Sequence, residues 1–498
     1  MHPGRQLITA SGLFVLCHLS AVYGDSIPSS VVKIHVTVRR PNLTQPWTKE
    51  SPQEVTGSGL VIEGNRIITN AHVVAYASQI YVQPYQSAEK LVAKVTHVAP
   101  GVDLALLELE KVDFFNDHPP LDLTEKLPRI KDKVSVYGYP LGGNDLSVTE
   151  GIVSRIEYAQ MYYGTSALRI QVDAALNSGN SGGPALVDGK VVGVVFSRIL
   201  NADNIGYLVP TEEVRLFLKD IEDGSYVGPS NLKLVGMQSV ENQALRDKLG
   251  MTAEQTGMMV TDVRGSQEQT FLQRWDVVTH VGSENIDNEG FVSIDNELRL
   301  NFRYFVARQA KDGQIELTVL RDGKAQTLQV PVQSEVNQLI RSLKLDRPNF
   351  FIYGPLVFTP VVSAHLGLNN PRLQLLLRAK NSPIITRSYD LVSFPGEQLV
   401  AIGAPMFPHR ITKTYDQPMM NIVTHVNETK IKNLRHLAKT LLSCQDEFVT
   451  FRFEGQSAEI MVFRRSEIEA ATEDVLSDNG IRNQFSDDLK EVFQAAGQ

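Results

Sequence analysis

Ser181 stands in Asp173-Ala174-Ala175-Leu176-Asn177-Ser178-Gly179-Asn180-Ser181-Gly182-Gly183-Pro184. A serine hydroxyl is a weak nucleophile and needs a base to take its proton. It also needs donors for the negative oxygen that forms on an attacked carbonyl. The glycines around Ser181 let the backbone turn so that the amides of Gly179 and Ser181 can face one point, an oxyanion hole. His72, in Ile68-Thr69-Asn70-Ala71-His72-Val73-Val74, is the candidate base: it follows an apolar strand and the small Ala71, where a ring can face a cleft. Asp103 interrupts the apolar run Val102-Asp103-Leu104-Ala105-Leu106-Leu107. A buried carboxylate needs a partner, and an imidazole N–H would satisfy it, fix the tautomer and stabilise the imidazolium. Read singly, the three have plainer explanations: a tight turn, a strand-end histidine, an aspartate capping a turn after Gly101. Read together they follow the order His, Asp, Ser, 31 and 78 residues apart, one of the chain orders this triad adopts.

Side chains so far apart in the chain need a scaffold that returns repeatedly to one cleft. Between Val31 and Pro210, β-rich runs recur at 31–38, 58–63, 66–69, 79–82, 93–98, 105–109, 133–137, 151–156, 168–172 and 190–196, punctuated by Gly, Pro, Asn and Asp. Such a pattern predicts antiparallel sheets closed into barrels, and the triad order is that of a chymotrypsin-like double β-barrel. A helix follows at 211–220, with Thr211 as N-cap and Val214, Phe217, Leu218 and Ile221 on one face. The breaker-rich stretch from Asp223 to Ser230 marks a domain boundary.

The remaining half contains an internal repeat. Val278-Thr279-His280-Val281 precedes Ile286 and Asn288; Val423-Thr424-His425-Val426 precedes Ile431 and Asn433 at the same offsets. A helical stretch follows each, at 298–307 and 433–442, and a strand pair closes each, at 315–320 with 327–332 and at 448–453 with 458–463. Two copies of an α/β unit are the economical reading. Asp346-Arg347-Pro348-Asn349 lies between them, and the charged segment beyond Arg464 reads as a short helix followed by disorder.

Composition sets outer limits. The 498 residues are 42% apolar and 21% charged, enough for about three domains with ordinary cores. A net charge of −8 argues against a nucleic-acid or anionic-membrane binder. The two cysteines, Cys17 and Cys444, cannot build a disulfide framework or a zinc–thiolate cluster. No nucleotide-binding or metal-binding motif occurs, so no metal and no other cofactor is expected. Arg5 ahead of an apolar run at 7–19, with Ala21-Val22-Tyr23-Gly24 before Asp25, reads as a signal peptide. That implies an extracytoplasmic chain, periplasmic in a Gram-negative source, with no membrane span once mature.

The motifs resemble those of the HtrA/Deg family of serine proteases. Thr69-Asn70-Ala71-His72-Val73-Val74, Asp103-Leu104-Ala105-Leu106-Leu107, Gly138-Tyr139-Pro140 and the serine segment carry the likeness, as does Asn204-Ile205-Gly206-Tyr207-Leu208-Val209-Pro210. Gly138-Tyr139-Pro140-Leu141-Gly142-Gly143, Gly151-Ile152-Val153-Ser154-Arg155 and Ser486-Asp487-Asp488-Leu489-Lys490 are similar to the long plant-type Deg branch, which has two PDZ domains. The resemblance divides the chain into a leader at 1–24, a trypsin-like protease domain at 27–224, a PDZ domain at 230–333, a PDZ-like domain at 349–464 and a tail at 465–498. It implies a catalytic triad of His72, Asp103 and Ser181. It also implies an oxyanion hole of Gly179 and Ser181, and an S1 pocket walled by Leu176, Val195 and Ile205, suited to small or medium aliphatic residues. Leu234-Val235-Gly236-Met237 resembles the carboxylate-binding loop of the first PDZ domain, and Tyr353-Gly354-Pro355-Leu356 a degenerate counterpart in the second. Such a groove takes a peptide as an added strand. The connection from Arg40 to Gly57 is short where bacterial relatives carry a long loop, and Trp47 within it is a candidate anchor for a homo-oligomer, a trimer or a multiple of trimers, or else packs on its own barrel. The implied function is an ATP-independent serine endopeptidase that degrades unfolded or damaged proteins. The alternative is a chaperone or peptide-binding scaffold whose protease domain rests inactive.

Overall fold

Alternate residues of the first strand share one face. Val32, Ile34, Val36 and Val38 of β1 (Val31–Val38) point into one barrel, while Lys33, His35 and Thr37 point out. Burying a side chain of this size contributes about 1.5–3 kcal/mol, and the same period-two pattern recurs in later strands such as Lys133–Gly138 and Met461–Arg464. The protein is described by a computed structural model over residues 27–496, apart from 144, 199–205, 233–234, 264–270, 295–297, 335–336, 367–369 and 455–459. The expected leader, Ile205 and Leu234 lie outside the described residues.

Two six-stranded antiparallel barrels come first. β1, β2 (Gln53–Ile62), β3 (Arg66–Thr69), β4 (Ala77–Gln83), β5 (Leu91–Ala99) and β6 (Leu104–Leu109) close in the order β1-β2-β3-β6-β5-β4. β7 (Lys133–Gly138), β8 (Ser147–Gln160), β9 (Ser166–Val172), β10 (Pro184–Val187), β11 (Lys190–Arg198) and β12 (Gly206–Pro210) close in the order β10-β11-β12-β9-β8-β7. Closure leaves no strand edge exposed. Each barrel has its own inner cluster, and a third joins them: Leu60, Ile62, Ile68, Leu104 and Leu106 of the first meet Tyr139, Leu186, Val194, Phe196 and Tyr207 of the second. Helix Thr211–Asp220 seals this seam with Val214 and Phe217, the face its spacing predicts.

Two α/β units complete the chain. In the first, β13 (Val235–Ser239), β14 (Met258–Val263), β15 (Val277–Val281), β19 (Gln314–Arg321) and β20 (Lys324–Pro331) form a sheet in that order, with β16 (Glu284–Asn285) paired to β15. In the second the order is β21 (Phe351–Tyr353), β22 (Leu356–Pro360), β23 (Val400–Ile402), β24 (Ile422–Val426), β26 (Phe448–Glu454) and β27 (Met461–Arg464), with β25 (Thr429–Lys430) paired to β24. The repeat is physical. Register slips between Val278 and His280 in β15 and between Val423 and His425 in β24. Ile286 N–H donates to Thr279 and Ile431 N–H donates to Thr424, both at 2.8 Å.

Four expectations change. Thr211 is not the N-cap of helix Thr211–Asp220: Pro210 holds that position, and the Thr211 hydroxyl donates instead to the Thr124 carbonyl at 2.9 Å. The stretch 298–307 is not one helix: β18 (Arg299–Asn301), paired antiparallel with β17 (Phe291–Ser293), precedes helix Arg303–Gln309, and the Asn301 side chain accepts the Arg303 amide at 3.1 Å to start it. Leu300 leaves the helical face and enters the core of the second barrel instead. The segment beyond Arg464 is not a charged tail. Helix Arg465–Asp478 buries Ile468, Ala471, Thr472 and Val475, while Leu489, Phe485 and Phe493 join the core of the last unit. Trp47 is not on its own barrel; its ring packs against Phe350 and Phe407 of the last unit, 6.0 and 5.8 Å between centroids.

The first α/β unit is also fastened to the protease barrels. Arg308 pairs with Glu212 and Glu213 at 2.5 and 2.6 Å, and the Tyr304 hydroxyl donates to Glu212 at 3.0 Å. Glu213 in turn accepts the Leu168 amide of β9.

Candidate active site

His72 sits in a one-turn helix, Ala71–Val74, directly after β3, and Asp103 sits just before β6, so both belong to the first barrel. Their contact is bidentate: Asp103 Oδ2 lies 2.7 Å from His72 Nδ1, and Oδ1 accepts the His72 amide at 2.9 Å. The carboxylate is 2% exposed and the imidazole 43%, which leaves the ring open to a reactant. Burial raises the Asp103 carboxyl above its ordinary value; bonds from the His72 ring, the His72 amide and the Ala71 amide pull the other way. A carboxylate so placed gains most when the ring beside it carries a proton.

Ser181 comes from the second barrel, in the loop between β9 and β10. A residue that sequence reasoning passed over holds it against the first. Ser58 of β2 is fully buried; its amide donates to the Ser181 carbonyl and its hydroxyl to the Gly179 carbonyl, both at 2.8 Å. The Ser58 carbonyl accepts the Thr69 hydroxyl at 2.7 Å and its own hydroxyl accepts the Tyr139 amide at 2.9 Å. Gly57 separates the Val73 side chain from the Ser181 carbonyl, since a Cβ there would lie 2.7 Å from one and 3.3 Å from the other. The helix bearing His72 and the loop bearing Ser181 therefore meet across one glycine. The available signal is the small-residue run Gly57-Ser58-Gly59 just before the apolar Leu60-Val61-Ile62.

The loop has a defined shape. Gly182 has φ +88°, and a Cβ there would strike the Ser58 carbonyl at 2.0 Å and the Thr69 hydroxyl at 2.3 Å. Gly179 has φ +102° and faces the Tyr139 carbonyl. In a trans peptide the N–H points opposite to the carbonyl. Ser178 O accepts the Leu141 amide at 2.8 Å and Asn180 O accepts the Gly183 amide at 2.9 Å. The Gly179 and Ser181 N–H groups are thereby turned away from those partners, and neither donates to a protein acceptor among the described residues. His72 and Ser181 are not hydrogen-bonded to each other; such bonds are often long in an enzyme by itself and tighten on binding. Leu176, 9% exposed, and Val195, 2% exposed, lie in the core cluster of the second barrel. Leu176 rests on bare Gly206, and the Val195 main chain bonds to Gly182 and Gly183.

The two α/β units differ at the strand that would receive a peptide. β13, with Val235, Gly236 and Met237, is the edge of its sheet, beside helix Arg303–Gln309. Arg303 donates to the Leu232 and Val235 carbonyls at 2.6 and 3.1 Å and so fixes the start of that edge. β22 occupies the corresponding place in the second unit, but β21 is paired to its outer side. Phe351 of β21 then bridges to Phe485, and Gln484 O accepts the Ile352 amide at 2.9 Å. The Gly354 amide in the intervening turn donates to Thr472 at 2.7 Å.

Residues 57–194 match the trypsin-like peptidase domain and residues 341–488 match a PDZ domain. The chain is 34% identical over 456 residues to Protease Do-like 4, mitochondrial, of Arabidopsis thaliana, covering 91% of this chain and 84% of that protein. It is 33% identical over 481 residues to Protease Do-like 2, chloroplastic, of the same plant, covering 95% and 77%. Among solved structures, an HtrA-type protease AlgW with tripeptide aligns over 63% of this chain and 96% of that one, with 24% identity and a TM-score of 0.49.

Proposed function

This chain belongs to the HtrA/Deg family of serine proteases, and from that membership we propose a division of labour among its three folded units. The chain is a serine endopeptidase that cleaves unfolded or damaged proteins without ATP. Ser181 attacks the peptide carbonyl. His72 takes the hydroxyl proton and returns it to the leaving amine. Asp103 holds the ring by Nδ1 and steadies its charge, and the amides of Gly179 and Ser181 receive the oxyanion. Leu176, Val195 and Ile205 select small or medium aliphatic side chains. The first PDZ unit takes peptide segments along β13, captured at residues 234–237, as an added strand. The second, its corresponding edge already covered, serves assembly into a homo-oligomer, which the native mass would measure.

One observation carries the reading: Asp103 is bonded to both the amide and the ring of His72 while Ser58 ties the Ser181 loop to the same barrel. Casein hydrolysis by wild type and Ser181→Ala tests it. The variant should retain only the background that binding and the oxyanion hole supply, about 10³–10⁴ over water; equal cleavage by both would refute the assignment. The uncovered edge strand β13 supports a second reading, a peptide-binding scaffold at rest. Fluorophosphonate labelling separates the two: an active enzyme labels at Ser181 unaided, a resting scaffold only after peptide is added.

The leader at 1–24 supports an extracytoplasmic location, and a mature N-terminus at Asp25 would bear that out. Among the described residues no helix is long and apolar enough to cross a membrane.

A further inference from the structure

Asn70 occupies the N-cap position of the helix that carries His72 and is fully buried, yet its side chain does not cap that helix. Its Nδ2 donates instead to the main-chain carbonyl of Asp103, at 2.9 Å. The helix is capped by Asp103, whose carboxylate takes the His72 amide along with the ring. The two residues exchange caps. The arrangement costs stability twice. Asp103 adopts φ +58°, a left-handed conformation that L residues avoid, and Asn70 Oδ1 is buried without a partner. Stability alone would favour an apolar side chain at this position, or one whose acceptor is used.

We infer that Asn70 is a positioning residue for the reaction, an inference that rests on the proposed triad: its amide N–H holds the Asp103 backbone in the left-handed turn that aims the carboxylate at His72 Nδ1. Two neighbouring donors are committed elsewhere. Thr69 Oγ1 donates to Ser58, and the His72 amide is used by the carboxylate. An aspartate at 70 would oppose acceptor to acceptor, and alanine would leave the Asp103 carbonyl unheld. With its backbone released, Asp103 relaxes toward ordinary φ and its carboxylate swings off the ring. A displacement of about 1 Å in such a group can cost about 10²-fold in rate.

The test compares wild type, Asn70→Ala and Ser181→Ala as full-length chains. It measures kcat and KM on a peptide substrate, the thermal midpoint, and the low-field proton resonance of the His72 Nδ1–H. Asn70→Ala should lose about 10²-fold in kcat with KM nearly unchanged. Its low-field resonance should vanish or move upfield. Its midpoint should fall only modestly, because the Asp103 carbonyl loses its partner while the unpaired Asn70 acceptor departs and the left-handed Asp103 backbone relaxes. Wild-type kcat with an intact resonance, or a kcat loss that only tracks a lowered midpoint, would overturn the inference while leaving the triad standing, provided Ser181→Ala is inert. Asn70→Asp guards against a misleading cavity effect: it keeps the shape, and it should be no more active than the alanine variant. Full cleavage by Ser181→Ala would bring down the triad reading and this inference with it.

Discussion

The two α/β units are built on one plan and end in opposite conditions. Both place a Val-Thr-His-Val strand at the centre, slip register at the same position and make the same return bond from an isoleucine amide. In the first unit the edge strand β13 stays outermost; in the second the chain lays β21 on the equivalent edge, then Phe485, and closes the turn with Thr472. The core alone does not make a peptide receptor. The chain beyond the last strand decides whether the groove stays available, and only the second unit has an additional helix and a terminal segment to spend on it.

Removing residues 465–498 should have the largest effect on that contrast. Ile468, Val475 and Leu489 alone bury enough apolar surface for their loss to cost more than about 5 kcal/mol. Hydrogen exchange should show the second unit unfolded and the protease barrels protected; a truncated chain that keeps the unit folded and gains peptide affinity would instead make the segment a removable plug.

Acid comes next. His365 is the one buried histidine among the described residues; burial pushes its pKa down to about 4, its Nδ1 accepts the Val362 amide and its Nε2 has no partner. The unfolded chain, with an ordinary value of 6.5, binds the proton more readily than the folded one. Stability is therefore complete above pH 6.5 and is lost as pH falls through 4, by about 3 kcal/mol. Urea midpoints of the second unit across that window should show the slope, and His365→Leu should flatten it.

The smallest effects separate two glycines. Gly354 has φ +55° and a Cβ there would sit 2.4 Å from Ile468, so Gly354→Ala should destabilise the second unit by about 1–3 kcal/mol. A Cβ at Gly236 would meet only the Thr261 hydroxyl, at 2.9 Å, which can rotate aside. Gly236→Ala should leave the midpoint within about 0.5 kcal/mol. Equal losses in thermal scans would mean that the two loops are equally covered.

Much of the fold and of the proposed triad is legible in the residues. Ala71 precedes His72, and Gly182 and Gly183 follow Ser181, because a ring and a tight loop need the room, and that local demand shows in the sequence. β1 and the helix after β12 are readable because each buries one face against its own neighbourhood. Trp47 is not, because its partners lie some three hundred residues away and local spacing says nothing of them. The helix at 465–478 escapes for another reason: Ile468, Thr472 and Val475 form a sparse stripe among acids, and net charge masks a face that buries. Ser58 and Asn70 act largely through main-chain groups of loops distant in sequence, and nothing in residue type announces such a partner.

The pair of bonds from Ser58 to the loop around Ser181 has a practical consequence. They span the seam between the barrels, so the halves cannot part while the reactive hydroxyl keeps its place. Heat inactivation and separation of the two cylinders should therefore be a single event, leaving no long-lived form that is loosened yet still cuts, and so little chance for a damaged copy to digest its neighbours.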